Sequence, residues 1–234
     1  MTGAGVSLVI PAYNEGDALV AHLCELLSVH HPEQISVIDA SAEADYVRVS
    51  GLLKAACPMS TLDYLVAEKT GRAQQMNQGA NNSREEILLF LHADTRLPGG
   101  ALEQIRDGLK QGQVWGRFDL RFDNPGWSFR LIAFMMNWRS RLSGIATGDQ
   151  AMFMTRKAFM QVRGFDEIPL MEDIAMSRKL KKLGRPLCLS SRVTTAARRW
   201  EQKGIIRTIL LMWGLRLAYW LGVSPQRLAE WYRT

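Results

Sequence analysis

Four short apolar runs, "SLVI", "ISVI", "YLVA" and "ILLFL", recur between Ser7 and Leu91, and helix-like stretches separate them. An amphipathic stretch runs from Asp17 to Leu27, a second helical segment lies around Val47 to Ala56, and a polar helix begins near Gly71. Runs this short, apolar on successive residues and bounded by helix or turn signals, read as parallel strands covered on both faces. Parallel strands need crossover connections, and the intervening helices supply them. The chain is therefore α/β. A sheet of this kind binds ligands outside the carboxyl ends of its strands.

The residues that follow the runs carry the chemistry. After the first come Pro11, Ala12, Tyr13, Asn14 and Glu15; after the second, Asp39; after the third, Glu68 and "TGRAQQMNQGA"; after the fourth, His92 and Asp94. Four strands delivering polar groups at one end point to one crevice. A carboxylate at Asp94, outside the sheet, can ligate a hard divalent cation that bridges two phosphates, although a turn or cap role fits the same residue. Asp39 can accept hydrogen bonds from a ribose or a base, or cap a helix. Gly71 permits close backbone approach, and Arg72 suits a phosphate or a base edge. The run is not a Walker loop and holds no G-x-G-x-x-G, so a glycine cradle alone does not explain phosphate binding.

The second half changes character. "VWGRFDLRF" alternates like a half-exposed strand, and Trp127, Leu131, Phe134, Met135, Trp138 and Leu142 form a helical stripe. "AMFM" reads as a short strand, and "MEDIAMSRKLKKLG" as a basic helix closed by Gly184. Glu172-Asp173 follows Pro169 at the start of that helix, as a cap or as a carboxylate poised to take a proton from an acceptor hydroxyl. "TGDQAMFM" sets Gly148 and Asp149 in a loop able to border the same pocket.

Length (234 residues) and an apolar content of 47% allow one sizeable core, and no linker or repeat divides the chain. The expected organisation is a domain over residues 1–200 with a helical extension over 201–234. The formal charge of +6 favours an anionic partner, while no nucleic-acid-binding motif accompanies it. Cys24, Cys57 and Cys188 are widely spaced without a C-x-x-C pair, which argues against a disulfide scaffold or zinc site and for a reducing compartment. The first residues lack a basic, signal-like leader, so the chain reads as cytoplasmic. The tail "GIIRTILLMWGLRLAYWLGV" is apolar but holds Arg207 and Arg216, which disfavour spanning. It reads as packing on the domain or on a second copy in a homodimer, or as lying on the inner membrane face with Arg198, Arg199 and Lys203 toward lipid heads.

Taken in order, "SLVIPAYNEGDAL", "VIDASAEAD", "GRAQQMNQGA", "LLFLHADTRLP", "GDQAMFMTRKAFMQVRGFDEIPLMEDIAMSRKLKKLGR" and "ARRWEQKGIIRTILLMWGLRLAYWLGVSPQRLAEWY" resemble the family 2 inverting glycosyltransferases. The resemblance is strongest to the small bacterial branch described as radical-SAM/selenodomain-associated or arsenosugar-biosynthesis glycosyltransferases. It implies a GT-A fold, a Rossmann-like, mostly parallel central sheet flanked by helices. It places Pro11, Ala12, Tyr13, Glu15, Asp39, Gly71 and Arg72 on the nucleotide. His92-Ala93-Asp94 occupies the D-x-D-like position, with Asp94 as ligand to Mn²⁺ or Mg²⁺. Asp173 of the Glu172-Asp173 pair is the implied base, and Arg199-Trp200 is similar to an R-W element on the acceptor or pyrophosphate side. His92 stands where many relatives have an aspartate, and a place behind the metal ligands, supporting them, suits it better than direct ligation of Mg²⁺.

The activity implied is transfer of a sugar from a nucleotide-diphosphate donor, a UDP-sugar, to an acceptor hydroxyl on a small or lipid-linked molecule. A non-catalytic nucleotide-sugar-binding scaffold is the alternative of a different class. A nucleotidyltransferase fits less well, because "PAYNEG" differs from the glycine- and lysine-rich start expected there.

Overall fold

A computed structural model describes residues 4–57 and 61–233, without the side chains of Arg199, Lys203 and Arg233. Strands β1 (Val6–Ala12), β2 (Gln34–Asp39), β3 (Leu62–Val66) and β4 (Ile87–Phe90) are parallel and lie in the order β3-β2-β1-β4. Helices α1 (Gly16–His30), α2 (Glu43–Ala56) and α3 (Arg72–Asn82) make the crossovers. Side chains alternate across a strand, so one run feeds two cores. Leu8, Ile10 and Leu89 pack in a core with α1 and α2, while Val9, Leu88 and Phe90 pack with Ala73, Met76 and Ala80 of α3. That is why these strands read as unbroken apolar runs.

Past β4 the sheet becomes mixed. β5 (Thr95–Arg96) and α4 (Ala101–Lys110) precede β6 (Trp115–Phe122) and α5 (Trp127–Ser143). A 3-10 turn (Gly148–Gln150), β7 (Phe153–Thr155), α6 (Arg156–Gln161), α7 (Glu172–Leu180) and β8 (Leu187–Thr195) follow. The whole sheet runs β3-β2-β1-β4-β7-β6-β8-β5. β7 is antiparallel to both neighbours and β5 to β8, whereas β6 and β8 are parallel with a register shift at Phe118/Asp119. The chain closes with α8 (Arg198–Lys203), α9 (Ile205–Trp220) and α10 (Pro225–Arg233).

The apolar stripe of α5 has helical period but faces outward. Trp127, Leu131, Phe134, Met135, Trp138 and Leu142 are all exposed, while Phe129, Ile132, Ala133, Asn137 and Ser140 are buried. The polar residue Asn137 fixes this orientation. Its amide donates to Leu120 O (3.0 Å) and accepts from Leu120 N (2.9 Å), clamping α5 on β6. Beneath it Arg117 is fully buried, paired with Asp119, which also accepts from Arg141 (2.8 Å). α9 shows a second outward stripe, Ile206, Leu210, Trp213, Leu217 and Trp220. Its inward Leu215 and Leu228 of α10 pack on Met171 and Ile174. No helix among the described residues is long and apolar enough to cross a membrane.

The cysteine reading is corrected. Cys24 of α1 and Cys57 at the end of α2 form a disulfide across 33 residues of sequence. The two helices pack side by side on the sheet, a proximity that spacing along the chain does not express. Cysteine usage therefore does not indicate a reducing compartment, and Cys188 is a free thiol.

Candidate functional site

The carboxyl edge of the parallel strands is tied together by α3. The Gln75 amide donates to Ala12 O and Ile38 O, both at 2.8 Å, bridging the ends of β1 and β2. Asp39, buried at the tip of β2, accepts from Ser41 N (2.8 Å) and from the Tyr64 hydroxyl. Burial, and then that hydrogen bond, push the Tyr64 phenol far above its usual range, so Tyr64 is a permanent donor. Asp39 is thus held in a fixed orientation beside Ala12, its β1 partner. Tyr13 stands exposed above them. At Gly71 the backbone has φ of +142°, a conformation open to glycine, and it launches α3 with Arg72 in its first turn.

Beyond β4, Ala93 packs on the core while Asp94 is exposed. Glu15, at the entrance to α1, has its carboxyl pushed up by burial and then by the charge of Asp94; Arg198, Arg72 and His92 oppose the shift. Glu15 and Asp94 therefore lie near enough at the carboxyl end of the sheet for their charges to repel. A hard cation between them and two phosphates would relieve that repulsion, so this carboxylate pair fits a divalent ion. No group of three His, Cys, Asp or Glu among the described residues is arranged to hold a metal, so ligand oxygens and water would complete the shell. His92 does not fit as a ligand. Its Nδ1 lies 3.2 Å from Asp149 Oδ1, and its buried Nε2, without a hydrogen-bond partner, presses on Gly148. A Cβ at Gly148 would fall 2.3 Å from that Nε2. The imidazole braces the 3-10 turn.

That turn orients Asp173. Gly148 N donates to Asp173 Oδ2 at 3.1 Å, and Ile174 N to Oδ1 at 2.7 Å. The turn is held by Thr147 and Gln150, which close a capping box, and by Gln150 Nε2 donating to Asn137 Oδ1 (3.3 Å). From below, Ser177 of α7 accepts from Ala146 N at 3.1 Å. Met171, immediately before Glu172, sits in the left-handed region at φ +70° and is buried against α9. A methionine there is strained by about 1–2 kcal/mol, and the packing of Leu215 and Leu228 holds it. Glu172 is buried; burial, then the Asp173 charge, push its carboxyl up, and Arg72 Nη1 at 3.9 Å opposes this. Pro11, Arg72, His92, Gly148, Glu172 and Asp173 line one narrow pocket of about 10 Å³, together with Met76, Phe90, Met152 and Phe165.

Residues 7–167 match the sequence pattern of the family described as glycosyl transferase family 2. The chain belongs to that family. Solved structures give the fold of this family 2 chain independent support. The crystal structure of S. aureus TarS 1-349 in complex with UDP-GlcNAc matches with a TM-score of 0.63 at 14% identity, over 82% of this chain and 58% of that one. The mannosyltransferase PcManGT from Pyrobaculum calidifontis, in complex with GDP-Man and Mn²⁺, matches with a TM-score of 0.64 at 18% identity, over 84% and 58%. The mixed α/β sheet flanked by helices is thus a GT-A fold, and the chain spans about 58% of each of these two solved chains. No curated protein matches it in sequence.

Of the residues singled out by sequence, Pro11, Arg72, Glu172 and Asp173 line the pocket, whereas Ala12, Tyr13, Glu15, Asp39, Gly71, Ala93, Asp94 and Trp200 do not. The Trp200 ring lies edge-on to Phe122 (5.6 Å between centroids) in the core, and the Arg199 side chain lies outside the described residues. Conversely, Arg139 of α5 and Arg216 of α9 approach Asp173, whose charge acts on both. Burial, and then Arg216, lower the Arg139 guanidinium to about 10; burial lowers Arg216. Arg216 was visible in the sequence as a charge misplaced in an apolar helix. Arg139 had no such signal.

Proposed function

We propose that the chain transfers a sugar from a nucleotide-diphosphate donor, a UDP-sugar, to an acceptor hydroxyl with inversion at the anomeric carbon. The observation that carries this reading is Asp173: a carboxylate oriented by the Gly148 amide, lining the same pocket as Arg72 and His92 at the strand tips. In the step inferred, the anomeric C–O bond to the diphosphate breaks and its electron pair leaves on the diphosphate. A new C–O bond forms to the acceptor oxygen from the opposite face, and the hydroxyl proton passes to Asp173. Glu172, buried and facing Arg72, holds that arginine and the start of α7 rather than moving the proton. Pro11, Ala12, Tyr13, Asp39 and Gly71 form the nucleotide side, with Arg72 toward the phosphates. A bound Mn²⁺ or Mg²⁺ at Asp94 and Glu15 would neutralise charge on the departing diphosphate.

Residues 1–200 are read as the transferase unit and 201–234 as an extension whose α9 seals its acceptor side. Membership of the radical-SAM-associated branch remains part of this proposal, as do a small or lipid-linked acceptor, a homodimer, and contact with the inner membrane face. The test is a panel of nucleotide-sugars with Mn²⁺ or Mg²⁺, read as liberated nucleotide and as product configuration by NMR. Asp173→Asn is expected to lower kcat by about a hundredfold or more while UDP binding persists. Turnover near the wild-type rate in a folded Asp173→Asn protein removes the base assignment. Tight donor binding without release in the wild type would favour the scaffold.

A further inference from the structure

The helices α5 and α9 converge on the start of α7. α9 docks there through Leu215, which is buried against Met171 and Ile174, the residues flanking Glu172-Asp173. Ile145, just past the end of α5, joins the same cluster. Arg216 follows Leu215 directly, and Arg139 follows the Asn137 that anchors α5 to β6 and to the Asp149 turn. The Asp173 charge acts on both guanidiniums, so both lie within its electrostatic range, and neither lines the pocket on the donor side.

Their hydrogen bonding is incomplete. Arg139 Nε and Nη2 and Arg216 Nε are buried without a partner among the described residues. Native structures rarely leave such donors unmatched, and an unmet charged donor costs more than a neutral one. Burial and then the charge of Arg216 disfavour the Arg139 cation, and burial disfavours that of Arg216; Asp173 opposes both shifts and Asp149 the second. Asp173 accepts from Gly148 N and Ile174 N, and neither guanidinium forms an ion pair with it among the described residues. A planar fork of donors beside a second one matches the oxygens of a phosphate or carboxylate.

We propose that Arg139 and Arg216 form an anion-binding subsite for the acceptor, which carries a phosphate or carboxylate close to the hydroxyl it presents to Asp173. The assignment of side rests on the reading of Asp173 as base, because a base must touch the acceptor opposite the donor. The charge of the acceptor would thus be recognised by the two helices whose outer faces are apolar, and a lipid headgroup and a soluble phosphate share the required chemistry.

The experiment uses the full chain saturated with UDP and Mg²⁺, so that the donor phosphate positions are filled, and titrates inorganic phosphate by calorimetry. One saturable site is expected, weakened at least about tenfold in Arg139→Gln and in Arg216→Gln and unchanged in Lys110→Gln on the far surface. If a Gln variant does not fold by circular dichroism, Arg139→Lys and Arg216→Lys keep the charge without the fork and are expected to weaken binding measurably. Absence of a saturable site in the wild type, or equal affinity in the folded variants, overturns the proposal. Phosphate binding without any UDP or GDP binding would leave the anion site standing and remove the transferase reading; UDP binding without phosphate binding does the opposite. Displacement of phosphate by phosphatidylglycerol vesicles, but not by phosphatidylcholine vesicles, identifies a headgroup as the source. Displacement by glycerol phosphate alone identifies a soluble acceptor.

Discussion

Gly148→Ala tests the geometry of the site without touching a charged group. The added Cβ would stand 2.3 Å from His92 Nε2 and 2.6 Å from its Cε1, against an ordinary contact of at least 3.4 Å. One of the two must retreat by about 1.1 Å, the difference between those distances. If the ring moves, its 3.2 Å contact with Asp149 is lost; if the turn moves, the 3.1 Å hydrogen bond from Gly148 N to Asp173 stretches. Inserting a methyl into packed surroundings costs about 1–3 kcal/mol, which for a chain of this size lowers Tm by about 2–12 °C. Displacing a reacting group by about 1 Å can cost on the order of a hundredfold in rate. Thermal melts and nucleotide release measure the two effects separately. Truncating the ring as well, in Gly148→Ala/His92→Ala, is expected to restore most of the lost Tm, a non-additivity that only direct contact produces. A Gly148→Ala protein with unchanged Tm and a rate within about threefold of wild type would refute the wedged arrangement of His92.

Three further outcomes follow from the structure. Because the Glu172 carboxyl is raised above its ordinary 4.5 by burial, its contribution to stability is present below that value and lost as pH rises through the folded pKa. Glu172→Gln should therefore melt above wild type at about pH 8 and level with it at about pH 4, and a variant less stable at both would contradict this. Asn137→Ala leaves Leu120 N–H and C=O without their side-chain partner, and urea unfolding should show a loss of about 2–4 kcal/mol. Cys24→Ser should lower stability by about 3–4 kcal/mol in the chain-entropy account of a loop of 33 residues, with reductant having the same effect on wild type and none on the variant.

The legible part of this protein is its parallel half. Strands covered on both faces must be continuously apolar, so β1, β2, β3 and β4 announced themselves, and Pro11, Glu15, Asp39, Arg72 and Asp94 lie at their carboxyl ends as the order of runs along the chain indicates. α4 and β8 carry no such signal. β8 is half-exposed along most of its length, and its "LCLSSRVTT" holds too little apolar alternation to signal a strand. α4 begins after a Pro-Gly-Gly turn and buries only Ala101, Leu102 and Ile105. The disulfide and the buried Arg117–Asp119 pair depend on packing between elements far apart in sequence, which no local pattern encodes.

What the sequence determined by itself is the set of chemical groups and the end of the sheet at which they emerge, because strand period and crossover order follow from residue types along the chain. What tertiary structure alone decided is direction. The aromatic stripe of α5 turned outward because Asn137 found backbone partners on β6, and His92 turned from Asp94 to Asp149 because Gly148 left room for its ring. Arg139 and Arg216 met beside Asp173 because Leu215 found a hydrophobic seat on α7. Such choices depend on which distant surface offers a partner, and that is settled only when the layers pack.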